Sequence, residues 1–148
     1  MKSVYLGADH AGFELKQKIK HWLERKKIPY EDRSNLILNP LDDYPDVAAR
    51  VAHAVVKHKT IGILICGSAQ GMCIAANKVK GIRAVVPFSL KEARLAREHE
   101  DANIICLSGW FFRFYRATKL LENFLMTRFS GEEKHKRRIA KIARLERA

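Results

Sequence analysis

Residues 61–66 read Ile-Gly-Ile-Leu-Ile-Cys, and this stretch decides the fold class. Every position is apolar or glycine, which is typical of a strand covered by helices on both faces rather than one with a wet face. The small residues of 67–71, Gly-Ser-Ala-Gln-Gly, predict a turn, and the residues of 72–79 favour a helix. A buried strand, a turn and a helix in succession indicate a parallel α/β sheet.

The same alternation of strands and helices extends along the whole chain. Apolar runs predict strands over 4–8, 61–66, 82–86 and 103–107, and a further strand is expected near 29–32. Helical spacing predicts helices from about Leu15, after Asp43 or Tyr44, and over 72–79, 90–99, 112–129 and 132–147. No linker or internal repeat interrupts the pattern. We therefore predict a single domain over 1–148: a Rossmann-like three-layer αβα sandwich with a five-stranded parallel sheet and a C-terminal helical extension.

Composition narrows the class of protein. The chain has 148 residues and is 47% apolar, which is enough for a core. No apolar run reaches the ~18 residues of a membrane span, and the N-terminus does not resemble a secretory signal. The three cysteines, Cys66, Cys73 and Cys106, form no CxxC pair. An odd number of separated cysteines favours reduced thiols, so we expect a cytoplasmic protein.

The formal net charge of +12 raises the question of an anionic partner. Much of the positive charge lies near the C-terminus, in the predicted helix over 132–147. Solvated helix faces explain most basic residues, and attraction of an anionic substrate is the second interpretation. Nucleic acid is an unlikely partner, because the chain has no zinc finger, RNP-like motif or other recognisable nucleic-acid module.

Ligands of open parallel sheets bind beyond the carboxyl ends of the strands. Cys66 ends the predicted central strand there, and Gly67 and Gly71 allow the backbone to approach a ligand closely. The start of the next helix would favour an anion and the thiolate form of Cys66. A buried structural cysteine is an equally good interpretation. The loop is neither a Walker A motif nor a dinucleotide fingerprint.

Two further segments carry reactive side chains. Asp9 and His10 follow the first strand, where they would orient a hydroxyl and meet a phosphate, although Asp9 would also serve as a simple helix cap. His99 ends a helix just before the fifth strand, and a histidine in such a charged stretch is commonly a surface residue. We expect these groups to converge with Cys66. No histidine pair has metal-ligand spacing, and neither a metal nor a cofactor is predicted.

Four motifs together are similar to those of ribose-5-phosphate isomerase B and related sugar-phosphate isomerases. They are GADHAGF at 7–13, DYPD at 43–46, CGSAQG at 66–71 with IAANKVKGIRA at 74–84, and HEDAN at 99–103. Their order and spacing match from about residue 3 to residue 142. The resemblance implies a metal-free aldose–ketose isomerase that interconverts ribose 5-phosphate and ribulose 5-phosphate through a cis-enediol. Allose or galactose 6-phosphate is the alternative substrate, and a non-catalytic protein that binds sugar phosphate or nucleic acid is a third interpretation.

The resemblance also implies a role for each matching residue. Cys66 would be the proton-transferring base, Ser68 would hydrogen-bond the reacting oxygens, and His99 would open the furanose ring. Asp9 would orient a substrate hydroxyl, with His10 near the phosphate or ring end. The other implied contacts are the amides of Gly67, Ser68, Ala69, Gln70 and Gly71 for the enediolate, and Lys134 and Arg138 for the phosphate, with Arg137 as the alternative if the register shifts by one.

The family resemblance further implies a homodimer or tetramer in which a second subunit completes the site. Three residues depart from the family pattern. Ala69 stands where glycine is usual, Glu100 replaces an asparagine that helps bind substrate, and Trp110 replaces an arginine. A negative charge at 100 and a bulky ring at 110 would change which sugar fits. The aromatic run 110–115 is expected to pack in the core or at a subunit interface.

Overall fold

The computed structural model describes residues 2–147, and its centre is a five-stranded sheet in which every pair of neighbouring strands is parallel. The sheet order is β2-β1-β3-β5-β4. The strands are β1 (Val4–Ala8), β2 (Tyr30–Asp32), β3 (Gly62–Cys66), β4 (Ala84–Val85) and β5 (Ile104–Ser108). The predicted fold class is confirmed, and β3 is the central strand that the 61–66 stretch indicated.

Helices connect the strands and cover both faces of the sheet. They are a 3₁₀ turn (His10–Gly12), α1 (Phe13–Arg25), α2 (Tyr44–His58), α3 (Gln70–Ala76), α4 (Leu90–Glu100), α5 (Phe114–Met126) and α6 (Glu133–Leu145). The helix expected over 72–79 instead begins inside the predicted 67–71 turn and ends three residues early. Its last residues continue as tighter turns, in which each amide bonds the carbonyl three residues back, Lys78 to Ala75 and Val79 to Ala76.

The predicted strand over 82–86 is only two residues long. The Asn77 side chain accounts for part of this difference, because it donates to the Ala84 carbonyl at 3.0 Å and accepts from the Ala84 amide at 2.8 Å. One backbone unit of β4 is therefore paired with a side chain on the outer side of the strand. This arrangement also ends the sheet, since the paired groups are no longer free to bind another strand.

Alternate residues of the central strands face two different hydrophobic clusters. Ile63 and Ile65 pack with α1, α4 and α5, whereas Leu64 and Cys66 pack with α2 and α3. The side chains of all four are buried. Burial of both faces explains why β3 reads as a continuous apolar run rather than an alternating one.

The topology creates one crevice at the carboxyl edge of the sheet. From β1 the chain moves to β2 on one side, and β3 then pairs with β1 on the other side. Such a change of direction separates the following loops and leaves a ligand-binding crevice between them. Asp9 and His10 follow β1, and Gly67 follows β3, so these residues border the same crevice. Within residues 2–147, no helix is long and apolar enough to cross a membrane.

Candidate active site

Cys66 is the last residue of β3 and is only 4% exposed. Its sulfur lies where the loop after β3 turns into α3, and the backbone amides of Ser68, Ala69 and Met72 lie near enough to favour its thiolate. These donors come from the loop and the first turn of α3. A buried thiol ringed by amide donors is therefore the chemical centre of this edge of the sheet.

The environment of Cys66 raises the pKa of its thiol. Burial is the largest cause, because removal of water penalises the thiolate. The amides of Met72 and Ala69 oppose this effect, and the nearby Asp9 carboxylate adds to it by repulsion. The amides near the helix start favour the thiolate, as expected, but burial outweighs them, and the net result is a raised pKa.

The loop backbone places a non-glycine residue in the left-handed region. Ala69 has φ 72° and ψ −17°, and its side chain is fully buried. A left-handed alanine costs about 1–2 kcal/mol relative to an ordinary conformation. The Ser68 hydroxyl accepts from the Gln70 amide at 3.3 Å just before α3 begins. The departure from glycine at 69 is thus accommodated within an intact loop.

Trp110 lies directly over Gly67. A Cβ atom at Gly67 would come within 2.5 Å of the indole ring, while the Trp110 amide donates to the Gly67 carbonyl at 3.1 Å. The buried Ser108 hydroxyl donates to the same carbonyl at 2.6 Å. Gly71 has a similar neighbour, since a Cβ there would come within 2.6 Å of the Tyr44 ring. Two aromatic rings therefore flank the loop, and Trp110 is still 68% exposed.

Asp9 caps the 3₁₀ turn, with its carboxylate accepting from the Gly12 amide at 3.1 Å. Capping was one interpretation of this residue from sequence, and it is the one the hydrogen bonds describe. The carboxylate is also buried and close enough to Cys66 to repel its thiolate. Burial raises the pKa of Asp9, against the opposing hydrogen bond from Gly12. Asp9 and Cys66 thus share one site.

His10 is exposed at the same edge and is held by a residue that the sequence did not single out. Asp42 accepts from both the His10 backbone amide and Nδ1, each at 2.9 Å. The hydrogen bond that the His10 ring donates to Asp42 is the main reason that the pKa of His10 is raised. Asp42 lies 32 residues away in a loop with several acidic residues, so spacing alone could not identify it.

His99 and Glu100 do not meet Cys66 within one chain. They end α4, which runs back to the opposite edge of the sheet, and the Glu100 carbonyl accepts from Arg83, the residue just before β4. β5 alone, with five residues, spans about 13 Å between the two edges. The expected convergence of these groups within one chain is therefore wrong: a helix that precedes a parallel strand ends at its amino end, away from the catalytic crevice.

Lys134 and Arg138 lie on α6, on the same side as His99. The rings of His99 and His135 stack with centroids 4.3 Å apart, and the His135 Nδ1 is 2.8 Å from the Ser130 hydroxyl. His135 is the one side chain of α6 that is buried, although no role was predicted for it. The stretch Lys-His-Lys-Arg-Arg at 134–138 contained the signal, because it places His135 between the two cations Lys134 and Arg138.

The site residues therefore form two groups at opposite edges of the sheet. The first set, the thiol-edge residues, consists of Asp9, His10, Cys66, Gly67, Ser68, Ala69, Gln70, Gly71 and Trp110. The second set, the imidazole-edge residues, consists of His99, Glu100, Lys134 and Arg138. The thiol-edge residues offer a base and amide donors, and the imidazole-edge residues offer an acid and cations that can bind an anion. Among residues 2–147, no three His, Cys, Asp or Glu side chains are arranged to hold a metal ion.

Comparisons with known proteins agree with this fold and identify a family. The model of the Ribose/Galactose Isomerase family matches residues 4–142. A probable ribose-5-phosphate isomerase B from Mycoplasma pneumoniae is 42% identical over 145 residues, covering 97% of this chain and 95% of that protein. The crystal structure of ribose-5-phosphate isomerase B from Mycoplasma genitalium with bound ribulose-5-phosphate has a TM-score of 0.92 and 41% identity, covering 98% of this chain and 96% of that one. The ribose 5-phosphate isomerase structure from Thermotoga maritima has a TM-score of 0.91 and 40% identity, covering 96% and 97% of the two chains.

Proposed function

Because the chain belongs to the ribose/galactose isomerase family, we propose that it is an aldose–ketose isomerase that interconverts ribose 5-phosphate and ribulose 5-phosphate. The observation that carries the proposal is the buried Cys66 thiol, which faces three amide donors and the Asp9 carboxylate. A protein that only binds a sugar phosphate has no need of a buried base at this position.

The reaction follows from these groups. With the sugar ring open, the Cys66 thiolate takes the proton from C2 of the aldose, and the C2–H electrons form the C1=C2 bond of a cis-enediolate. The amides of 67–71 are the donors for the oxygen that becomes negative. The Ser68 hydroxyl exchanges a proton between O1 and O2. The Cys66 thiol then returns its proton to C1, which leaves the ketone at C2 and the thiolate regenerated.

A second copy of the chain would complete the site. The thiol-edge residues and the imidazole-edge residues lie at opposite edges of the sheet, so both sets of one chain cannot contact one small sugar. In a symmetric dimer, the imidazole-edge residues of each chain would meet the thiol-edge residues of its partner. His99 would then protonate the ring oxygen, while Lys134 and Arg138 would bind the phosphate. The exposed aromatic rings of Trp110, Phe111 and Tyr115 support an interface at the thiol edge.

Six-carbon sugar phosphates are the second candidate substrates. Glu100 is exposed and negatively charged where the family commonly has an uncharged asparagine, and the Trp110 ring lies over Gly67 where an arginine is common. These two residues would change the length of sugar that fits without changing the chemistry.

The three free cysteines support a reducing compartment, and we propose that the enzyme acts in the cytoplasm.

A substrate panel tests the proposed function. We expect ribose 5-phosphate to give ribulose 5-phosphate in the presence of a chelator, with lower kcat/KM for allose and galactose 6-phosphates. Turnover of a hexose phosphate alone would move the assignment to the second candidate. No turnover of any sugar phosphate, together with nucleic-acid binding that survives physiological salt, would favour the binding interpretation.

A further inference from the structure

A buried polar network lies beneath the loop after β2, close to the thiol-edge residues. The network ends at His10. Lys16 on α1 is fully buried, an unusual place for a lysine side chain. Its Nζ atom is 2.9 Å from the Asp32 carboxylate, 3.1 Å from the Ser34 hydroxyl and 2.6 Å from the Asn35 carbonyl. These acceptors satisfy the three protons of the ammonium group, so the loop after β2 is fixed to α1.

Ser34 links this network to β1. Its hydroxyl donates to Asp32 at 2.8 Å and accepts from the Ala8 amide at 3.1 Å, at the residue just before Asp9. The loop is therefore attached to the end of the strand that carries the candidate site. Each member is held by at least two hydrogen bonds, which fixes the path of the loop around the site.

The network continues to the imidazole of His10. Asn35 donates to one Asp42 oxygen at 3.3 Å, and the other oxygen accepts from the His10 amide and from Nδ1. A carboxylate that receives Nδ1–H leaves Nε2 as the ring nitrogen available to a ligand and favours the imidazolium. The Asp42 side chain is largely buried, at 10% exposed, whereas the His10 side chain is 44% exposed.

We propose that Asp42 is a positioning residue: through the Lys16 network it orients His10 so that a charged Nε2–H meets the phosphate end of the substrate. This inference rests on the proposed function. The raised pKa of His10, caused first by the Asp42 hydrogen bond, is consistent with it. The other charged groups that face His10 are Asp9 from β1, Glu14 and Lys18 from α1, and Arg113 from the start of α5.

The Asp42→Asn variant tests this role. Asn retains an acceptor of the same shape but removes the charge, so His10 should lose its proton at lower pH. We expect KM for ribose 5-phosphate to rise about 5–10-fold at pH 7.5, with kcat changed less than about twofold, because one charge-assisted contact to the phosphate is lost. The difference in KM between variant and wild type should shrink as pH falls, since protonation of His10 then increases in both.

Imidazole NMR titration measures the same effect without turnover. The His10 resonances, assigned with His10→Gln, should titrate at lower pH in Asp42→Asn than in wild type, and inorganic phosphate should shift them in wild type. Asp43→Asn is the matched control: it removes a charge one residue later, from a side chain that makes no capping bond to α2. It should leave KM and the His10 titration close to wild type.

Two outcomes would overturn the role of Asp42. One is an unchanged His10 titration in folded Asp42→Asn. The other is a KM effect of Asp42→Asn that persists in full on top of His10→Gln, because a residue that acts through His10 adds nothing once His10 is replaced. If Asp42→Asn does not fold, a KM for His10→Gln equal to that of wild type overturns the inference. A wild-type protein without isomerase activity would instead refute the proposed function, while the NMR titration would still decide the role of Asp42.

Discussion

Cys66 is buried against amide donors and the Asp9 carboxylate, and these neighbours determine how its reactivity depends on pH. Its pKa is raised, so most of the free enzyme at neutral pH carries the thiol. A base works only when deprotonated. We therefore predict that kcat/KM rises with pH from 7 to 9, approaching tenfold per unit. A pH–rate profile checks this, and a plateau reached below pH 7 would contradict it.

Cys66→Ala should lose turnover and retain the wild-type circular dichroism spectrum.

Gly67 and Trp110 form a residue pair whose coupling is measurable. Any side chain at 67 would push into the indole ring. We predict that Gly67→Ala lowers the free energy of unfolding by about 1–3 kcal/mol, as overpacking commonly does. The same substitution in a Trp110→Ala background should cost much less, since the obstructing ring is gone. Urea unfolding of the four proteins gives the coupling energy, and additive effects would show that the indole ring is not the cause of the destabilisation.

Residue-level chemistry was partly predictable from sequence. Cys66, Asp9 and His10 were identified because each follows an apolar strand, and parallel strands bring their carboxyl ends together. Asp42 was not identified, since only the folded loop brings it to His10. The sequence indicates the amide donors that favour the Cys66 thiolate, but not the burial that raises the pKa of the thiol overall, because the degree of burial depends on packing.

At the scale of elements, α1 and the end of β2, where the next loop begins, are joined by the ion pair of Lys16 and Asp32. Burial alone would raise the pKa of Asp32, but the hydrogen bonds from Lys16 and Ser34 outweigh it and lower the pKa. A lowered carboxylate pKa contributes stability above the unfolded pKa of about 3.9, and this contribution is lost as pH falls through the folded value. The pair therefore ties the stability of the loop to pH in the acid range.

Removal of Lys16 tests this pair. We predict that Lys16→Ala lowers the free energy of unfolding by about 2–4 kcal/mol, because the buried Asp32 carboxylate then keeps only Ser34 and the longer contact with Lys20 at 3.4 Å, and the Asn35 carbonyl loses its donor. Acid unfolding should also begin at higher pH, since the Asp32 carboxylate is then less stabilised. Lys18→Ala, on the exposed face of the same helix, should change stability by less than about 0.5 kcal/mol. Equal effects of the two variants in urea titrations would contradict the importance of the network.

Element boundaries followed the sequence where apolar periodicity is strong. α2 begins at Tyr44 with Pro45 in its first turn, as predicted. α3 begins at Gln70, inside the small-residue loop whose amides lie near the Cys66 sulfur. β4 differs in part because the Asn77 side chain hydrogen-bonds the Ala84 backbone. Hydrophobic periodicity does not report polar contacts of this kind.

On the scale of the whole molecule, the sheet topology separates the candidate site into two groups. The sequence motifs place Cys66 and His99 in one functional set, but a single chain holds them at opposite edges of the sheet. α6 has one buried side chain and a row of exposed cations, so little of its surface is used within its own chain. In the proposed dimer, two copies bring the motifs together, which local sequence patterns alone cannot establish.

The most direct measurement of this central claim uses dimers with differently tagged chains, purified through both tags. A dimer of one Cys66→Ala chain and one Arg138→Glu chain keeps one intact shared site and should have about half of wild-type activity, as two-fold symmetry requires. A dimer of one wild-type chain and one chain carrying both substitutions should be inactive, since each shared site then contains one substitution. The reverse result, in which the first dimer is inactive and the second keeps half of the activity, would contradict a site shared between chains.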